Sequence, residues 1–308
     1  MASQAGNNYR RSGDDHFYNL EYDQAIHDYT KLIAENPSDP IPYNDLASAY
    51  LYKEMYRLGL LDSSALGHGN RFLHERIKAD PNAEARIKQT LDRGQGVATA
   101  LLARDKNSKE ALYALCTNYA LRADDEFMIQ RAWITALRSG SRANNYCEQV
   151  LKLDPNFIDA YLTRGVFEYA AGSLPLPVRM LASIGGFHGS KKKGLEMVAR
   201  VAREGNYERD SARILLAVLY RRERRPLDAA RILESLSAQY PRGYIFRIEL
   251  AAMYLEGGQN VLAQNTLRSL LQESDPRMPP AVRQELIELE ARLHPGLTAS
   301  RALTSDFR

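Results

Sequence analysis

A phrase returns along this chain: Leu46-Ala47-x-x-Tyr50, Leu115-Cys116-x-x-Tyr119, Leu216-Ala217-x-x-Tyr220 and Leu250-Ala251-x-x-Tyr254. A second phrase interleaves with it: Ala25 to Pro37, Ala143 to Pro155 and Ala229 to Pro241 are each twelve residues apart. Tyr220 and Tyr254 are separated by 34 residues, as are Ala229 and Ala263. A period of that length, with a small residue, an aromatic and a closing proline, marks helix–turn–helix repeats. One such unit cannot bury its apolar face alone. Units must stack, and stacking makes an extended concave surface of the kind used for binding.

The pattern predicts an all-α chain of about six helical hairpins, over residues 6–39, 40–108, 109–157, 158–207, 210–243 and 244–277. A capping helix over 279–294 and a loose tail over 297–308 complete residues 1–296 as a single repeat domain plus tail. In the first hairpin Ala25 and Tyr29 lie one turn apart and share a face. Gly13 lets the first helix approach the second closely, and Pro37 stops the second. Residues 57–82 carry Gly59, Gly67, Gly69 and Asp80-Pro81 and read as an irregular insertion before a helix over 83–104. The middle hairpins are enlarged. Residues 126–153 contain no proline and read as one stretched helix, and a connection around Leu174-Pro175-Leu176-Pro177 precedes a helix from Lys191 to about Arg203.

Several positions recurring in at least four units give the chain a resemblance to the tetratricopeptide repeat family over residues 6–56 and 83–276. The long middle helices and Gly186-Phe187-His188-Gly189-Ser190-Lys191-x-x-Gly194-Leu195 look like the tetratricopeptide repeat protein 39 family and related bacterial repeat proteins. The resemblance implies a right-handed α-solenoid that serves as a non-catalytic scaffold for a protein or peptide. It also implies that the concave lining comes from the first helix of each hairpin.

Projected on that lining, Asn44, Tyr113, Thr117, Tyr169, Arg221 and Arg222 form the expected partner-binding set. The two tyrosines are the anchors and the two arginines pair with acidic groups, since binding surfaces combine aromatic anchors with a polar rim. Asp14 and Asp45 stand where the family's carboxylate clamp needs donors, which argues against that clamp. From Lys191 to Arg231 there are twelve Lys/Arg against six Asp/Glu, a local excess of cations that suits an acidic protein segment. The sparse aromatic interleaving there speaks against nucleic acid.

Other chemistry is thinly represented. The six histidines form no metalloprotease motif, and His68 and His74 beside Glu75 read as loop residues, so no metal, cofactor or catalytic residue is expected. Gly185-Gly186-x-x-Gly189-Ser190-Lys191 fails the phosphate-loop spacing. Ser190 can still cap the helix starting at Lys191, and that helix end is the anion site of an alternative reading as a ligand-binding protein or enzyme. A structural self-assembly module is the third reading. Cys116 and Cys147 fall on the two helices of one hairpin and read as buried small apolar residues. No apolar run reaches the length of a membrane-spanning helix. The N-terminus lacks the apolar core of a signal peptide, so a cytoplasmic location is the default and a periplasmic or exported one requires a leader removed beforehand.

Overall fold

The computed structural model describes residues 4–61, 78–174, 189–273 and 275–293. Among them are thirteen helices and no strand. They are α1 (Gln4–Tyr18), α2 (Tyr22–Glu35), α3 (Ile41–Arg57), α4 (Pro81–Arg104), α5 (Lys109–Met128), α6 (Trp133–Leu153) and α7 (Ala160–Gly172). Then follow α8 (Lys191–Glu204), α9 (Arg209–Arg222), α10 (Pro226–Gln239), α11 (Ile245–Glu256), α12 (Asn260–Glu273) and α13 (Pro280–Leu293). Helices adjacent in sequence pack together, α1 on α2, α5 on α6 and α7 on α8 among them. Among the described residues the architecture is all-α and built of packed helical hairpins, the class the repeat pattern predicts. The expected tail and the histidines of the insertion lie outside the described residues.

The helix limits follow from local chemistry. Asp80 caps α4 by accepting from the backbone N–H of Asn82 at 2.9 Å, with Pro81 at the first helical position, where no N–H is needed. The Ser108 hydroxyl caps α5 in the same way through Ala111 N–H at 3.2 Å. At the other ends, α2, α6 and α10 stop two residues short of Pro37, Pro155 and Pro241.

One expectation is corrected. Residues 126–153 are two helices, because the chain turns through Ile129–Ala132 between α5 and α6. Arg131 takes a left-handed conformation there, with φ 58°. The turn is closed by Asp125, whose carboxylate accepts from Gln130 Nε2 at 2.6 Å and whose carbonyl accepts from the N–H groups of Ile129 and Gln130. Neither glycine nor proline marks it, so nothing in the residue pattern announces the break.

The chain divides into two compact units. One holds α1–α8 and α9 as far as Leu216, with α3 counted to Met55; the other holds α9 from Ala217 with α10–α13 and a segment beginning at Tyr56. In the first unit, Ala25, Tyr29, Ile33, Tyr43, Leu46 and Ala49 make one core cluster. Leu112, Tyr113, Cys116, Cys147, Val150 and Ala160 make another. Cys116 and Cys147 are joined by a disulfide across the α5–α6 hairpin, both fully buried. In the second unit Leu233, Leu236, Ile248, Met253, Leu267 and Leu270 are buried, as is Tyr244, whose hydroxyl donates to Tyr56 at 2.7 Å.

Small residues set the helix approaches. A Cβ on Gly13 would stand 2.6 Å from the Tyr29 ring, the close approach its position predicts. At the α7–α8 crossing a Cβ on Gly194 would meet the Tyr169 backbone nitrogen at 2.5 Å and the Gly165 carbonyl oxygen at 2.6 Å.

Candidate functional site

In the first unit the leading helices of successive hairpins present polar side chains to one another. On α1, Arg10 pairs with Asp45 of α3 at 2.8 Å, and Tyr29 of α2 donates to Asp14 at 2.7 Å. Asn44 of α3 donates to the Ala114 carbonyl at 2.8 Å and the Thr117 hydroxyl at 2.7 Å, and its side-chain oxygen accepts from Asn118 at 2.9 Å. Tyr113 of α5 donates to Glu208, just before α9, at 3.4 Å. Asp159 accepts the backbone N–H groups of Asn206, Tyr207 and Glu208 at 2.9–3.2 Å and so fixes the turn that leads into α9. The start of α9 in turn meets α1. The Tyr18 and Ser211 hydroxyls are 2.9 Å apart, and the Arg10 guanidinium lies over the Tyr207 ring at 5.4 Å.

This inner face holds more carboxylates than cations. Asp45 keeps 23% of its side-chain surface, yet protein surrounds the rest, and that burial raises its pKa to about 7 against the pull of Arg10. Burial raises Glu208 to about 7 as well, helped by the nearby charges of Asp159 and Asp45. Asp14 is raised for the same first reason. Tyr113 is pushed well above the ordinary phenol range by burial and by Glu208.

The residues expected to bind a partner fall in three places. Asn44, Tyr113 and Thr117 are brought together on this inner face, where their polar atoms serve the contacts just described. Tyr113 is 2% exposed, its ring packed on Phe157 at 4.8 Å between centroids. Tyr169, 3% exposed, is buried against α8 at the glycine crossing, with Lys191 Nζ 5.8 Å from its ring centroid. Neither ring presents a face to solvent. Arg221 and Arg222 lie in the second unit. Arg221 reaches Glu249 at 3.3 Å and Glu256 at 2.7 Å and keeps 12% of its side-chain surface, whereas Arg222 is exposed.

At the glycine corner Ser190 caps α8 as expected, accepting from Lys193 N–H at 3.4 Å. Its own N–H donates to the Glu168 carboxylate at 3.1 Å. An internal carboxylate thus takes the N–H of the capping residue itself. Gly189 and Gly172 have a packing reason: a Cβ on either would fall within 3 Å of neighbouring backbone. Residues 185–188 lie outside the described residues.

A feature missed in the sequence stands on α6. Trp133, Ile134 and Leu137 are 61%, 51% and 58% exposed, and their spacing puts them on one helical face. Trp133 is the chain's only tryptophan. The signal was hidden by reading residues 126–153 as one helix, which placed these side chains in mid-helix rather than on the opening turn of α6.

No family model matches the chain, and no curated protein does. Among solved structures it is similar to a thermophilic TPR protein from Thermus thermophilus, at 18% identity and TM-score 0.43, covering 81% of this chain and 99% of that one. It is also similar to a tetratricopeptide repeat protein from Parabacteroides merdae, at 14% identity and TM-score 0.38, over 96% of this chain and 88% of the other. For yeast Tom70 the values are 12% and 0.27, over 93% and 95%. The narrower likeness to the tetratricopeptide repeat protein 39 family is not confirmed by these three structures.

Proposed function

We propose that this chain is a non-catalytic repeat scaffold that binds a protein or peptide, and that the opening turns of α6 are its main contact. The observation that carries this reading is the exposed stripe of Trp133, Ile134 and Leu137. Large apolar side chains grouped on one exposed helix face are costly to leave in water, and interface anchors are enriched in tryptophan. The disulfide between α5 and α6 holds the hairpin in one geometry, so less ordering is lost when a partner docks. Between Phe127 and Cys147 the charged residues are Arg131, Arg138 and Arg142, with no carboxylate. Arg138 and Arg142 follow the stripe on the next turns of α6, and both are exposed. A partner segment that brings apolar side chains flanked by carboxylates suits this face. The acidic partner expected from the sequence is thus retained, with its cations on α6 rather than at Arg221.

The test uses the single tryptophan. A partner isolated by affinity capture is titrated into the protein while Trp133 emission and affinity are followed. Binding at α6 shifts the emission to shorter wavelength, and Trp133→Ser/Leu137→Ser weakens binding by about tenfold or more, as removal of an interface anchor does. Unchanged emission on saturation, with unchanged affinity of the double variant, overturns the assignment to α6.

A further inference from the structure

Cys116 and Cys147 are the chain's only cysteines, and they are joined to each other. Neither sulfur can be reached from solvent, since both residues are 0% exposed. Their cover comes from more than the hairpin that carries them. Leu112 and Val150 lie on the same two helices, but Ala160 belongs to α7. Ile41 of α3 and Leu102 of α4 pack against the same cluster. The Tyr119 and Tyr146 rings, one a turn beyond Cys116 and the other next to Cys147, stack at 5.7 Å between centroids.

A disulfide is made or broken when another sulfur attacks one already in place, so the incoming group must touch that sulfur. In the packed unit neither an oxidant nor a reductant has that access. The bond therefore forms earlier, as α5 and α6 meet and before α3, α4 and α7 close over them. The pair suits this order. The cysteines are 31 residues apart on helices that follow one another, so the hairpin alone brings them together. A chain that folds in a reducing compartment meets no net oxidation at that stage, because the thiol pools there keep cysteines reduced.

We infer that Cys116 and Cys147 are the site of an oxidative modification made during folding by a disulfide-carrying oxidant, and that the chain matures in an oxidising compartment. The exchange balances. One cysteine, as its thiolate, attacks the oxidant's disulfide, forms a mixed disulfide and releases the oxidant's first sulfur as a thiol. The thiolate of the other cysteine then attacks the chain's sulfur in that mixed bond and releases the second. The pair loses two protons and two electrons, and the oxidant takes up both as its disulfide becomes two thiols. Once α3, α4 and α7 are in place, reductant cannot reach the bond. This location stands against the cytoplasmic default read from the N-terminus. The inference does not rest on the partner site on α6.

The compartment is tested in cells that make the protein naturally. They are quenched with acid, which stops thiol exchange, and free thiols are capped in denaturant with a mass-tagged maleimide. The expected result is no tag on the chain without reductant and two tags after reduction. Two tags without reductant, on half of the molecules or more, overturn the inference. The order of events is tested on the purified, oxidised protein. Its reduction by a small dithiol is followed in buffer and in unfolding urea. Reduction is expected to be slower in buffer by about a hundredfold or more, because only opening of the packed unit exposes the bond. Equal rates in the two conditions overturn closure before packing.

Discussion

Cys116 and Cys147 face each other across the α5–α6 hairpin with Cα atoms 5.3 Å apart, within the range a disulfide spans without backbone movement. The two cysteines are 31 residues apart, and the segment between them includes the left-handed turn at Arg131 and the apolar stripe. Thiol titration should find no reactive cysteine in native protein, and none after denaturation without reductant. Two should appear once reductant is added. Two thiols on denaturation alone would disprove the bond. Cys116→Ala/Cys147→Ala is expected to lose about 2–4 kcal/mol in urea unfolding.

The α7–α8 crossing leaves no room at Gly194. The atoms a Cβ would strike first are backbone, which cannot swing aside as a side chain can. Gly194→Ala should therefore destabilise by about 1–3 kcal/mol despite the better helix propensity of alanine. At Gly96 an added Cβ would meet nothing within 4 Å, so the same change there should stabilise. The expected gain is about 0.5–1 kcal/mol. Chemical denaturation of the two variants side by side checks both signs.

Asp159 is 5% exposed and holds three backbone N–H groups at the entrance to α9. Removing its carboxylate orphans those donors. Asp159→Ala should cost about 1–3 kcal/mol and speed amide hydrogen exchange at Asn206, Tyr207 and Glu208 before it affects α5 or α6. Uniform loss of protection across the unit would contradict this local role.

Stability should fall as pH rises from about 5 to about 8, because several carboxyls hold their protons more tightly in the fold, among them Asp124 at about 7, Asp125 at about 6, Asp45 and Glu208. Asp45 and Glu208 move from ordinary values of 3.8 and 4.5 to about 7 in the fold. Over that window the unfolded chain has already released these protons and the folded chain still holds them, so raising pH favours unfolding. Asp154 works in the opposite sense: the hydrogen bond from Lys109 lowers its pKa, and its contribution is lost only as pH falls through that lowered value. A melting temperature that is highest near about pH 5 is expected. A steady climb through neutral pH would contradict the raised values.

The helices were legible because each hairpin repeats the same demands: a small residue where helices touch, a proline after the second helix, an aromatic to fill the gap. Gly13 against Tyr29 and the stops before Pro37, Pro155 and Pro241 follow from those demands. The break at Ile129–Ala132 was not legible, because an arginine takes the left-handed position and an aspartate side chain closes the turn. The inner face was read only as a lining. That Tyr113 is buried on Phe157, and that Glu208 returns to meet it, depends on a contact spanning 95 residues that no local period encodes. Arg221 looked free because its carboxylate partners, Glu249 and Glu256, belong to the next hairpin.

A stack of hairpins in which each touches only its neighbours melts from its ends, since the terminal unit has a single interface to lose. Tyr18 and Ser211 remove that asymmetry in the first unit, because the opening helix also has a neighbour 193 residues away. Fraying of α1 then has to break a contact at the far end of the same unit. With that contact in place the unit should come apart as one cooperative block rather than from its first hairpin.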